Sequence, residues 1–190
     1  MRKRYLLSSV ACLCASLGGI WSGAATAQTP CTALAGKHYD PAVIGLPTTG
    51  ADITLATAVA ATATLPAYCR VEGSIHPIDP TAPNINFRVN LPTTWNGKAL
   101  GMGGGGYNGN IPNTTGAPTL GNFPGVALPL NKGYITYAGD SGHQAADADD
   151  ASFAMNDEAL LNYGNQHVKK TRDIMVAIAK DRYGTAPRRI

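Results

Sequence analysis

The chain has 190 residues, of which 44% are hydrophobic and 14% are charged. The charged fraction lies below the roughly 25% of an average soluble domain, yet the apolar residues suffice for one folded core. These proportions exclude a disordered chain, a collagen-like chain and a coiled coil.

The N-terminal segment has the three parts of a secretory signal. Residues 2–4 are basic, residues 5–21 are largely apolar, and residues 25–27 read Ala-Thr-Ala, which suits a signal peptidase. We therefore predict a signal peptide over residues 1–27 and a processed chain, starting at Gln28, that is secreted or periplasmic. A membrane anchor is the alternative, but the apolar run is short and is interrupted by serine and glycine.

Removal of the signal changes the charge balance. Its three basic residues account for the whole excess of the 15 Lys and Arg over the 12 Asp and Glu. The processed chain is formally neutral, and no basic patch predicts nucleic-acid binding. We expect no nucleic-acid partner and no membrane association after cleavage.

Four cysteines are present, and two of them, Cys12 and Cys14, lie in the predicted signal. Cys31 and Cys69 remain. Two cysteines in an oxidising compartment pair in the simplest case, so we predict a disulfide between them, with two free thiols as the alternative.

Alternation of apolar residues predicts strands in the first half of the processed chain. The pattern is weak from Ile53 to Val59 and clearer from Val71 to Ile75 and from Ile85 to Leu91. The segment from Pro77 to Asn84 is rich in Pro, Asp and Asn, so the two clearer runs are expected to form an antiparallel hairpin.

Two short strands and one long helix are predicted in the second half. The strands, Lys98 to Met102 and Gly133 to Ala138, each run into a loop. The helix begins after an Asn156 N-cap and ends at Gly184. Its apolar face is expected to comprise Leu160, Gly164, His167 with Val168, Thr171, Ile174 with Met175, and Ile178. Antiparallel strands followed by strand, loop, strand and helix predict an α/β fold.

The loop from Gly101 to Gly106 contains the spacing G-x-G-x-x-G. A dinucleotide site needs a helix directly after such a loop and an acidic residue about 20 positions later, and neither follows here. Two interpretations remain. One is a plain glycine turn. The other is an oxyanion loop in which Gly103, Gly104, Gly105 and Gly106 let backbone N–H groups approach a developing negative charge.

Asp140 and His143 lie in one tight loop after a predicted strand. They are candidates for an acid/base pair, a metal site or a loop-structuring contact, and we favour the last. Two ligands do not make a metal site, and the aspartates of residues 147–150 lack the spacing of a calcium loop. His167 is expected to be a buried, hydrogen-bonded histidine of the helix.

No G-x-S-x-G motif occurs in the chain. Ser74, Ser141 and Ser152 lack the context of a nucleophile elbow. The residues therefore predict the electrophile-stabilising half of an acyl-transfer site without an evident nucleophile.

A series of short motifs resembles the tannase/feruloyl esterase family over about residues 65–189. They are Leu91 to Lys98 (LPTTWNGK), Gly103 to Gly109 (GGGGYNG), Gly133-Tyr134, Asp140 to Gln144 (DSGHQ), Asp150 to Ala154 (DASFA), Tyr163-Gly164 with His167, and Tyr183-Gly184 with Ala186 to Arg189. Cys31 and Cys69 fall where the family has an N-terminal disulfide.

The resemblance implies a secreted α/β-hydrolase that cleaves esters of aromatic acids through a Ser-Asp-His triad. It implies that this chain is the N-terminal portion of the hydrolase domain, in which antiparallel strands lead into a mostly parallel sheet. The nucleophile elbow of the family follows a segment like Ala186 to Arg189, so we expect residues 28–190 to stop before it. The triad and the lid domain with its calcium site would then be absent, and no cofactor is expected.

Two functions remain from the sequence. The first is a carboxylic-ester hydrolase with a small aromatic ester as substrate, present here as a part that is inactive alone. The second is a secreted, non-catalytic binding module for aromatic or glycan ligands.

Overall fold

The computed structural model describes residues 28–116, 125–145, 147 and 149–190. The predicted signal peptide lies outside the described residues. Six strands form one sheet in the order β1-β2-β3-β4-β6-β5. Their bounds are His38–Tyr39 (β1), Gly50–Val59 (β2), Tyr68–His76 (β3), Ile85–Pro92 (β4), Ala99–Gly101 (β5) and Ile135–Gly139 (β6).

The pairing along the sheet is antiparallel from β1 to β4 and between β4 and β6. Only β5 and β6 pair in parallel among the described strands. The α/β prediction is confirmed. Of the expected mostly parallel sheet, the described residues contain that pair and one parallel bridge between Lys98 and Arg189. The reason is that consecutive strands joined by short turns must run antiparallel, and a parallel pair needs a crossover such as the one between β5 and β6.

Side chains along the central strands point alternately to the two faces of the sheet, so every second side chain lies in the core. Phe87, Val89 and Leu91 of β4 are fully buried, and Val71 and Ile75 of β3 lie beside them. The predicted hairpin of β3 and β4 is therefore confirmed, with Val71 paired to Val89.

The helical region covers this sheet with its C-terminal part. A short helix α1 spans Asp157–Leu161, a π-helical turn spans Asn162–Gln166, and helix α2 spans His167–Tyr183. Ile174, Met175 and Ile178 of α2 are fully buried in the core that the strands form.

Both predicted ends of the helical region are confirmed. The Asn156 side chain accepts a hydrogen bond from the N–H of Ala159, and Gly184 ends α2 with φ of 76°. Glycine adopts this left-handed backbone conformation at the end of a helix without steric cost.

The predicted apolar face is wrong in its N-terminal half. Leu160, Gly164 and Val168 are exposed, whereas Thr171 is buried as predicted. The buried positions that the prediction did not include are Ala159, Asn162 and Lys170. The π-helical turn causes this difference, because one wider turn rotates the residues before it relative to those after it.

The structure forms the expected disulfide between Cys31 and Cys69. It links the 3-10 turn Cys31–Leu34 to β3. No helix within the described ranges is long and apolar enough to cross a membrane.

Candidate functional site

A cavity of about 480 Å³ opens where the loop after β5 meets the loop after β6 and the start of α2. Both loops follow the carboxyl ends of parallel strands, where α/β folds collect their functional groups. Its lining includes Gly101, Met102, Gly103, Gly104, Gly106, Asn108, Tyr137, Ser141, Tyr163, His167 and Thr171. The cavity therefore brings together the glycine loop and polar side chains from two other segments.

Three of the four predicted oxyanion glycines line this cavity. They are Gly103, Gly104 and Gly106, whereas Gly105 does not line it. Gly106 has φ of 58°, and the N–H of Asn108 donates to the carbonyl of Gly105 at 3.0 Å, which closes a turn. The described residues directly after the loop, 107–116, contain no helix, so the helix that a dinucleotide site would need at this point is missing.

Asn108 connects the glycine loop to the end of β6. Its Nδ2 donates to the carbonyl of Gly139 at 3.1 Å and to the hydroxyl of Ser141 at 2.8 Å. Its side chain also fills the space beside Gly104 that a β-carbon would need. The conformation of the glycine loop is therefore coupled to the loop after β6.

Ser141 lies next to a histidine within the same cavity. Its Oγ is 3.4 Å from Nε2 of His167, and Nδ1 of His167 is 2.8 Å from the carbonyl oxygen of Asn162. His167 is half-buried rather than part of the core, so its predicted burial is corrected here, while its predicted hydrogen bonding is present.

Asp140 is buried and is surrounded by hydrogen-bond donors of its own loop and of β4. Its Oδ1 accepts from the N–H groups of Asn86 and Gly142, and its Oδ2 accepts from Nε2 of Gln144. Burial raises the pKa of the Asp140 carboxyl, and these hydrogen bonds oppose the increase. The carboxylate joins its loop to the first residues of β4.

His143 has no hydrogen bond to Asp140 and instead lies among aromatic rings. Its imidazole stacks on Phe153 with ring centroids 4.0 Å apart, and Tyr163 approaches edge-on at 5.8 Å. Burial lowers the pKa of His143. The His143 ring therefore packs as an aromatic side chain between the loop after β6 and the segment that precedes α2.

Within the described residues, no group of three or more His, Cys, Asp or Glu side chains is arranged to hold a metal ion. The disulfide residues Cys31 and Cys69 are not among those that line the cavity.

Sequence reasoning did not foresee Asn108 and placed Ser141 and His167 outside the site. One available signal was the resemblance itself, because all three residues lie inside its motifs. Positive φ at Asn108 (68°) and Ser141 (72°) is the structural signal, since non-glycine residues in this region often mark functional sites.

Residues 69–190 match the family model described as "Tannase and feruloyl esterase". The chain belongs to the tannase and feruloyl esterase family. An uncharacterized esterase of Agrobacterium fabrum is 52% identical over 158 residues, which cover 80% of this chain and 28% of that protein.

A second relative is the mono(2-hydroxyethyl) terephthalate hydrolase of Piscinibacter sakaiensis. It is 35% identical over 141 residues, which cover 69% of this chain and 23% of that protein. This chain thus matches about a quarter of the length of each of these two relatives.

Among solved structures, feruloyl esterase B of Aspergillus oryzae superposes with a TM-score of 0.56 at 18% identity. The match covers 74% of this chain and 28% of that structure. Another esterase of the same organism also superposes with a TM-score of 0.56. That match covers 81% of this chain and 30% of that structure. At this level of identity the likeness concerns the fold.

Proposed function

We propose that this chain supplies the oxyanion side of a secreted carboxylic-ester hydrolase that acts on esters of aromatic acids through an acyl-serine. The observation that carries the proposal is the glycine loop at the end of β5, which lines a cavity large enough for a small ester. Family membership favours this esterase over the binding module as the function.

The chemistry of the loop suits ester hydrolysis. Attack on an ester carbonyl creates a negative oxygen, and preorganised backbone N–H groups stabilise it. Gly103, Gly104 and Gly106 carry no side chains that would screen their N–H groups from the cavity. A serine mechanism of this kind needs no cofactor.

We also propose that the chain alone does not hydrolyse esters. The described serine that lies beside a histidine is Ser141, which is 3% exposed and already accepts from Asn108. The other ring nitrogen of His167 meets the carbonyl of Asn162 and not a carboxylate. These contacts suit a supporting hydrogen-bond network better than a triad, so we assign the nucleophile to none of the described serines.

Secretion is part of the same proposal. The disulfide of Cys31 and Cys69 suits an oxidising compartment. Intact-mass measurement of exported protein should find Gln28, or its cyclised form, as the first residue. A mature protein that starts at Met1 would contradict the signal peptide.

A chimera provides the test of catalysis. Residues 28–190 would replace the matching part of the Agrobacterium fabrum esterase, to which this chain is 52% identical over 158 residues. We expect the chimera to hydrolyse methyl ferulate, methyl gallate or mono(2-hydroxyethyl) terephthalate faster than the ethyl ester of a short aliphatic acid. The chain alone should not exceed a heat-treated control with any of these esters.

Two outcomes would contradict the proposal. A chimera that is folded by circular dichroism yet inactive on all esters would remove this chain from ester hydrolysis. Turnover by the chain alone that disappears in Ser141→Gly would show that the nucleophile lies within it.

A further inference from the structure

The two non-glycine residues with positive φ among the described residues are Asn108 and Ser141, and they bind each other. Asparagine visits the left-handed region with little cost, but serine does so less readily. The surrounding contacts must therefore hold Ser141 in this conformation, a situation typical of functional sites.

The direction of each hydrogen bond in this network follows from the groups involved. The carbonyl oxygen of Asn162 can only accept, so Nδ1 of His167 carries a proton. In the neutral imidazole with this tautomer, Nε2 is the acceptor. The Ser141 hydroxyl then donates to Nε2, and its oxygen accepts from Nδ2 of Asn108. The chain of bonds runs in one sense from Asn108 through Ser141 and His167 to Asn162.

The π-helical turn creates the far end of this network. The carbonyl of Asn162 accepts from the backbone N–H of His167 five residues later as well as from the His167 ring. The Asn162 side chain accepts from the buried ammonium of Lys170 at 2.9 Å. Wider turns of this type occur frequently at functional sites, and this one anchors His167 to the buried part of α2.

At its near end the network reaches the glycine loop. The Asn108 amide lies against Gly104, and the Asn108 N–H closes the turn on Gly105. Gly103 and Gly105 have no heavy atom within 4 Å of an ideal β-carbon position, so open space lies beside both residues.

We propose that Ser141 and His167 are positioning residues for the proposed ester hydrolysis, which act through Asn108 to hold the N–H groups of the glycine loop toward the cavity. The inference rests on the proposed function. It assigns these two side chains neither a bond to the ester nor a proton transfer.

Backbone order in the glycine loop tests the inference in this chain without any catalysis. Ser141→Gly removes the hydroxyl but keeps a residue that adopts positive φ, and His167→Phe removes the acceptor but keeps an aromatic ring. We expect NMR order parameters of Gly103, Gly104 and Gly106 to fall from the rigid value of about 0.85 to below about 0.6 in both variants. Ser152→Gly, in an exposed turn, is the matched control and should change none of them.

The kinetic test uses the chimera described above. Because a lost oxyanion donor lowers kcat by about 10²–10³, a displaced loop should lower kcat by about tenfold or more. KM should stay within about threefold, since the donors act mainly on the transition state. Ser152→Gly should leave both constants unchanged.

Unchanged order parameters in both variants would overturn the inference and leave the esterase proposal intact. A raised KM with retained kcat would also overturn it, because Ser141 would then bind the ester itself. An inactive chimera would contradict the proposed function, while the order parameters would still decide whether the network holds the loop.

Discussion

The side chain of Asn108 occupies the space beside Gly104 that a β-carbon on that residue would need. Gly105, the next residue, has no heavy atom within 4 Å of the corresponding position. Two adjacent glycines of one loop therefore differ in whether they tolerate a side chain, which makes them a matched pair for mutation.

Gly104→Ala should lower the free energy of unfolding by about 1–3 kcal/mol, as other overpacked substitutions do, because Asn108 is held by its hydrogen bonds to Gly139 and Ser141. Gly105→Ala should change it by less than about 1 kcal/mol and in the stabilising direction, since alanine restricts the unfolded chain. Urea unfolding at constant pH measures both. Equal losses in the two variants would contradict the contact between Gly104 and Asn108.

The sequence predicted the strands well because their signal is local. Apolar residues at every second position of β3 and β4 had to share one face, whatever the rest of the chain did. The N-cap at Asn156 and the stop at Gly184 were equally local.

The centre of the helical region and the core of the site were not predictable in this way. The π-helical turn depends on contacts of Asn162 with His167 and Lys170, which interrupt the regular helical period. The bonds of Ser141 join residues 33 and 26 positions apart in the sequence. The family motifs contain Asn108, Ser141 and His167, but neither the motifs nor any periodicity indicates which side chains meet, so only the fold reveals these contacts.

The buried carboxyl of Asp140 should make stability depend on pH. Because burial raises its pKa above the usual 3.8, the folded state binds the proton more tightly than the unfolded chain does. The contribution of this group is therefore largest below pH 3.8 and falls as the pH rises through the folded pKa. Asp140→Asn keeps an acceptor for Asn86 and Gly142 but removes the charge.

Urea unfolding of the wild type and Asp140→Asn across pH 3 to 7 checks this sign. The free energy of unfolding of the wild type, relative to the variant, should decrease as the pH increases. A relative free energy that instead increases with pH would mean that the hydrogen bonds to the carboxylate outweigh its burial.

Lys170 offers a second test of a buried charge. Its side chain is 1% exposed, its Nζ donates to Asn162, and Glu158 is 3.7 Å away. Burial lowers the pKa of the Lys170 ammonium, and Glu158 opposes the decrease.

Lys170→Met should lose about 1–2 kcal/mol, because methionine fills the space and the cost of burying the charge disappears, but the buried side-chain oxygen of Asn162 loses its donor. Lys170→Ala should lose about 2–4 kcal/mol through the cavity that it leaves. Since the folded pKa is lowered, the wild type should gain stability relative to Lys170→Met at alkaline pH. A large loss in Lys170→Met at neutral pH would show that the ammonium stabilises the π-helical turn.

The disulfide between Cys31 and Cys69 closes a loop across 38 positions of the sequence, so its removal should cost roughly 3–4 kcal/mol through the entropy of the unfolded chain. The native N-terminal segment is held by further contacts: the Thr29 N–H donates to the carbonyl of Arg182, and the Tyr39 hydroxyl donates to Asp181. The double variant Cys31→Ala with Cys69→Ala should therefore remain folded but unfold at lower urea. Reduced wild type should unfold at nearly the same urea concentration as that variant, because both lack the same cross-link. If the double variant lacks the far-UV circular dichroism signal of the wild type even in the absence of urea, the disulfide is required for the native fold itself.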